Sequence, residues 1–180
     1  YHESLGNTKK VILNEHNAVD TDSCWNDTTP TSSVFSVGSA SVTNRSGSTY
    51  VYYLWSEKQG FSKFGSFVAN SQAGTNGTFV YLGFKARYFM WKNTTTGSST
   101  YDHWNLIDTK RQTYNGNTAD GYVQADETTA ETSFSGNGLS VFANGVQISQ
   151  GGRYHSESGS TYVYMAFAEA PFVNSNGVPC

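Results

Sequence analysis

Short apolar runs separated by polar, turn-forming stretches dominate this chain. Val11-Ile12-Leu13 lies in residues 10–14, Val34-Phe35 and Val37 lie in 33–37, and residues 49–55 are aromatic and β-branched almost throughout. Phe79-Val80-Tyr81-Leu82, Tyr88-Phe89-Met90-Trp91 and Trp104-Asn105-Leu106-Ile107 follow. Leu139-Ser140-Val141-Phe142, Val146-Gln147-Ile148 and residues 161–168 complete the series. Runs this short, rich in Val, Ile, Tyr, Phe and Trp, predict strands. Ala143-Asn144-Gly145 predicts a hairpin tip with residues 139–142 antiparallel to 146–148, because Asn and Gly tolerate positive φ. Residues 70–77 and 93–99, rich in Gly, Ser, Thr and Asn, predict loops. The polar stretch 114–130 reads as a surface excursion or as carrying a short helix near 126–131. No segment has the periodicity of a three-turn amphipathic helix. Many short strands with frequent turns mean a sandwich or barrel. The expected fold is all-β, an antiparallel jelly-roll or lectin-like β-sandwich.

An internal repeat qualifies that picture. Gly47-Ser48-Thr49-Tyr50-Val51-Tyr52 returns as Gly159-Ser160-Thr161-Tyr162-Val163-Tyr164, an offset of 112 residues. The copies continue as Tyr53-Leu54-Trp55-Ser56-Glu57 and Met165-Ala166-Phe167-Ala168-Glu169. An identical hexapeptide followed by matched apolar and Glu positions is a repeat signal. It predicts that residues 1–59 are the C-terminal half of a first unit and 60–180 a complete second β-sandwich unit. Residues 49–55 and 161–168 are then equivalent strands. A half-unit leaves strand edges and an apolar face uncovered, so it needs a partner: an upstream segment, the second unit or another chain.

Composition narrows the class. The chain has 180 residues, 15% aromatic and only 14% charged, against about 25% charged in ordinary soluble domains. A net charge of −3 argues against nucleic-acid binding. No apolar stretch approaches the roughly 18 residues that span a bilayer, so no membrane insertion is expected. The chain opens at Tyr1 without a Met or a leader, which reads as processing or as part of a longer protein. Cys24 and Cys180 are read as two free thiols in preference to one disulfide.

The polar residues form no complete catalytic signature. There is no phosphate-binding Gly-Lys-Ser/Thr loop, Gly-x-Ser-x-Gly elbow or His-Glu-x-x-His pair. His2, His16, His103 and His155 lack ligand spacing, and Asp20, Asp22, Asn26 and Asp27 read as turn formers before a Ca²⁺ site. Asp120, Asp126, Glu127 and Glu131 hold the carboxylates a glycosidase would need, but read as a solvated acidic loop. No cofactor, metal or catalytic residue is expected. Tyr and Trp in loops carry more, since their faces stack on sugars while their polar edges stay wet. Trp91 and Trp104 read as core; Tyr101, Tyr114 and Tyr122 are the candidates for an exposed binding surface.

Several motifs resemble a repeat family of marine tailed-phage, cyanophage-like proteins. They are Gly60-Phe61-Ser62-Lys63-Phe64-Gly65-Ser66-Phe67, residues 79–86, residues 104–111 and the ending Tyr162-Val163-Tyr164-Met165-Ala166-Phe167-Ala168-Glu169-Ala170-Pro171-Phe172. The resemblance runs through nearly the whole chain. It implies a tail-fibre-like or host-range virion protein that attaches to a host-surface glycan or protein receptor without catalysis. It also implies partnership with other virion subunits, as a homotrimer. The rival expectations are a purely architectural virion protein and, further off, a glycan-degrading enzyme.

Overall fold

The computed structural model describes residues 1–98, 100–111, 118–119, 121–134, 138–149, 155–174, 176 and 178, with the main chain alone for Thr118 and Ala119. Its strands are β1 (Lys9–Lys10), β2 (Asp20–Thr21), β3 (Ser62–Val68), β4 (Thr78–Tyr81), β5 (Ala86–Asn93) and β6 (Asn105–Asp108). They continue as β7 (Thr118–Ala119), β8 (Gly121–Gln124), β9 (Thr132–Ser133), β10 (Leu139–Phe142), β11 (Gly145–Ile148) and β12 (Thr161–Ala168). Every pairing is antiparallel. One sheet runs β3-β12-β5-β6-β8-β9, a second β4-β11-β10-β7, and β1 pairs with β2 alone. The protein is an all-β sandwich.

Alternation places the core. Tyr162, Tyr164 and Ala166 of β12 point inward with Phe89 and Trp91 of β5, Ile107 of β6 and Tyr122 of β8. They meet Val80, Leu139, Val141, Val146 and Ile148 from the smaller sheet. Side chains two apart share a face of a strand, so each strand feeds one layer with every second residue. Phe89 and Trp91 stack 5.3 Å apart and Phe89 lies 5.7 Å from Tyr164. Burying an aromatic side chain of this kind contributes about 1.5–3 kcal/mol. Gly65 in β3 serves Tyr164: a Cβ there would sit 2.7 Å from the Tyr164 hydroxyl.

The outer face of the six-stranded sheet is covered by the N-terminal segment. Leu5 and Val11 pack on Met90, Val163 and Trp104. Polar contacts fasten them: the Trp104 indole donates to Ile12 O at 2.8 Å, Lys92 Nζ to His16 O at 2.9 Å and Val19 N to Thr94 O at 3.1 Å. His2 Nε2 lies 3.1 Å from Tyr164 O.

The hairpin β10–β11 forms as expected, with Phe142 opposite Gly145. The reason for its glycine differs from expectation. Neither Asn144 nor Gly145 has positive φ. Gly145 lies in β11, where a Cβ would meet Val80 O of β4 at 2.3 Å. Close approach of a neighbouring strand, not turn geometry, requires glycine there. Residues 126–131 form no helix. The Asp126 carboxylate instead accepts from Trp104 N at 3.0 Å and meets His103 Nδ1 at 3.0 Å, tying the segment back to the sheet.

Candidate functional site

A turn and the run that follows it stand out. Ser48 N donates to Arg45 O at 3.1 Å, and Ser160 N donates to Glu157 O at 3.0 Å. Gly47 has φ +75° and Gly159 φ +78°. Arg45 N donates to the Tyr50 hydroxyl at 3.0 Å, and Glu157 N donates to the Tyr162 hydroxyl at 3.0 Å. The same turn, glycine and tyrosine cap thus recur at the offset of the sequence repeat.

Beyond the turn the copies part. Residues 161–168 enter the sheet between β3 and β5. Residues 49–55, expected to be an equivalent strand, belong to no sheet among the described residues. Tyr53 and Trp55 stack across one intervening residue at 6.2 Å and 18°, on the same side of the chain. Tyr50 and Tyr52 lean back on Ser41–Asn44 and Phe35: Tyr50 donates to Ser41 O, Tyr52 to Thr43 O, and the Tyr52 ring lies 5.1 Å from Phe35. The remainder faces solvent, with Val51 77%, Tyr53 75%, Leu54 67% and Trp55 58% exposed. Their counterparts Val163 and Ala166 are buried. Val51, Tyr53, Leu54 and Trp55 thus form a contiguous exposed apolar strip.

The tyrosines picked from sequence have different fates. Tyr101 is half-exposed on the loop after β5. Tyr114 lies outside the described residues. Tyr122 is no surface residue: it sits in β8, 8% exposed, with its ring 4.7 Å from Phe134 and 4.5 Å from His155. Its place in the alternation of Gly121–Gln124 turns it inward, which a strand hidden in a polar stretch concealed.

The loop bearing Tyr101 is held by a buried polar network that carried no sequence signal. Asn93 Nδ2 donates to Asp102 Oδ1 at 3.0 Å and Thr96 Oγ1 at 3.0 Å, and Ser98 N donates to Asp102 Oδ2 at 2.7 Å. Thr96 and Ser160 hydroxyls reach Glu157 Oε2. Beside it Lys92 is fully buried, its ammonium on the carbonyls of His16 and Asp102 and 5.9 Å from the Trp104 ring centre. Burial lowers its pKa to about 8, against the pull of Asp126 and Asp102. Burial among Trp91, Tyr122 and Phe134 likewise lowers His155 to about 3.

The acidic residues are engaged locally. Asp126 is buried against His103, Glu127 lies 3.6 Å from the same ring, and Glu131 pairs with Arg111 at 2.8 Å. Asp120 lies outside the described residues. Asp22 accepts from Lys10 and from Ser23 N. Among the described residues no group of three His, Cys, Asp or Glu side chains converges as metal ligands do. Cys24 is a buried free thiol; Cys180 lies outside the described residues. A shallow cleft of about 340 Å³ runs beside β3, with Glu57, Lys63 and Tyr81 on its wall. No helix among the described residues is long and apolar enough to cross a membrane.

Comparison with curated proteins and with solved structures finds no match. A family model matches residues 1–171, which takes in the N-terminal segment, both copies of the repeat and the whole sandwich. The chain belongs to the family defined by that model, a domain of unknown function (DUF7483).

Proposed function

We propose that the chain is a non-catalytic module of a virion appendage of the tail-fibre kind, and that its main role is to build the appendage. The observation that carries this reading is the solvent-facing apolar run of Val51, Tyr53, Leu54 and Trp55, consecutive or nearly so along the chain. Apolar surface that is extended and unpaired is joining surface, because association removes it from water and satisfies its main chain together. The resemblance of residues 60–67, 79–86, 104–111 and 162–172 to tail-fibre-like repeat proteins supports the virion setting. Homotrimeric assembly with other virion subunits belongs to the same proposal.

The test is a particle carrying Tyr53→Asp and Trp55→Asp together. Both side chains are exposed, so the isolated domain keeps its fold. The expected result is particles that lack the appendage. Particles with the appendage intact and normal adsorption would overturn the reading.

Contact with a host-surface glycan or protein receptor is the second reading, favoured by half-exposed Tyr101 on a loop pinned by Asn93, Asp102 and Glu157. Rigid scaffolds present binding loops this way, and Tyr gives broad contact at low entropic cost. Replacing Tyr101 and Tyr114 by Ala separates the two: assembled particles that adsorb poorly support it, and normal adsorption removes it. Tyr122 is left out because its loss would open the core.

A further inference from the structure

The run after Gly47 pairs with no strand among the described residues, whereas its copy in the same chain lies between β3 and β5. We propose that residues 49–56 are completed into a sheet by a β3-like and a β5-like strand of a further repeat unit that precedes Tyr1 in the polypeptide. This rests on the reading of the run as a joining surface and names what joins it.

Three observations carry the proposal. The first is local identity: the Arg45 and Glu157 turns share a positive-φ glycine, the turn hydrogen bond and the tyrosine cap. The chain therefore enters residues 49–56 in the conformation that delivers residues 161–168 to a sheet. The second is chemistry. In the sheet, Tyr162 stacks on Phe67 at 5.1 Å and 6°, and Tyr164 lies over Gly65, whose missing side chain makes room for the ring. Tyr50 and Tyr52 are the same residues at the same spacing, and with no such strand beside them they stack on one another at 6.2 Å. The pairing register follows from the second copy, where Tyr162 opposes Phe67 and Asn93, and Tyr164 opposes Gly65 and Trp91. The partner strands must then set an aromatic and an Asn opposite Tyr50, and a Gly and a Trp opposite Tyr52.

The third observation concerns the source. β3 and β5 of this chain already flank β12 along its length, so a second copy cannot supply both as neighbours of residues 49–56. At the repeat's offset of 112 residues, counterparts of residues 60–112 would fall directly ahead of Tyr1. Supply from the same polypeptide also removes the translational cost of bringing in a separate chain, since a linked partner acts at a high effective concentration.

The experiment compares the 180-residue chain with a longer one in which a copy of residues 60–112 is placed directly before Tyr1. Amide hydrogen exchange is read at residues 50–56, with residues 162–167 as the internal standard for a folded sandwich. Exchange at 50–56 is expected to slow by about 100-fold or more in the longer chain, and Gly65→Val in the added copy is expected to abolish the gain. Unchanged exchange in a folded longer chain overturns the proposal. So does concentration-dependent protection of 50–56 in the 180-residue chain, which would make a second copy the occupant. If the longer chain does not fold, a peptide of sequence Ser62–Val68 titrated onto the 180-residue chain decides: a shift of Trp emission to shorter wavelength that Trp55→Phe removes supports the pairing, and no shift overturns it. Protection at 50–56 alongside normal particles carrying the Tyr53→Asp and Trp55→Asp changes would sink the proposed function and leave the strand pairing standing.

Discussion

The Tyr50 hydroxyl accepts the main-chain N–H of Arg45 at 3.0 Å, the bond that Tyr162 makes with Glu157 at the same distance in the sandwich core. One motif therefore exists in two environments, half-exposed and buried. The energetic weight of the bond should differ accordingly. Tyr162→Phe leaves Glu157 N–H without its acceptor beside a fully buried ring and should cost about 1–3 kcal/mol. Tyr50→Phe leaves an N–H that water can reach and should cost under about 1 kcal/mol. Urea denaturation of both variants checks this; equal losses would contradict the assignment of environments.

Glycines at two positions should fail for different reasons. Gly145→Ala drives a methyl against Val80 O, so the β4–β11 pairing must shift, at a cost of about 1–3 kcal/mol. Gly159→Ala meets nothing within 4 Å and pays only for φ +78°, about 1–2 kcal/mol. Gly159→Asn should recover part of that loss and Gly145→Asn none, because Asn tolerates positive φ but not the contact. Thermal midpoints of the four variants measure it.

Lys92 makes stability rise in alkali. Its folded pKa is about 8 against 10.5 for an ordinary lysine, so between those values the unfolded chain holds one proton more. Stability then climbs with pH through that window, by up to about 1.4 kcal/mol per unit from this group. In Lys92→Met the term is absent. Denaturation of both proteins at pH 7.5 and 9.5 should show the variant's relative advantage shrinking at the higher pH. A constant difference would contradict a lysine held against its charge.

His155 acts on the acid side. With a folded pKa of about 3 against 6.5, it stays neutral in the core while the unfolded chain gains a proton as pH falls. Stability is lost progressively from pH 6.5 towards 3. His155→Gln should flatten the decline by roughly one proton's slope, about 1.4 kcal/mol per unit. Parallel slopes for the two proteins between pH 6 and 4 would rule this out.

Strands with strong local alternation were legible. Tyr88-Phe89-Met90-Trp91, Leu139–Phe142 and Thr161–Ala168 lie in sheets as their residues require. β3 is hard to read as a strand because Gly65 breaks its pattern, and that glycine answers to Tyr164 across the sheet, a long-range demand. β8 lies hidden inside a polar stretch, which conceals the burial of Tyr122. Residues 33–37 and 49–55 have the composition of strands but no partner in the described chain, and pairing is what makes a strand. The network of Asn93, Asp102 and Glu157 joins residues 64 apart in sequence, beyond the reach of local spacing. The repeat was the one long-range signal that sequence carried, and the matched turns bear on its local conformation.

Amide exchange on the isolated 180-residue chain, at a dilution where it is monomeric, tests the central claim most directly. That claim is a sandwich strand and its uncovered copy in one molecule. Amides of Val163, Tyr164 and Ala166 should exchange only through global unfolding, while those of Val51, Tyr53 and Leu54 should exchange within about 10-fold of the free-peptide rate. Strong protection of Val51, Tyr53 and Leu54 in the monomer would contradict it, because those residues would then already be paired.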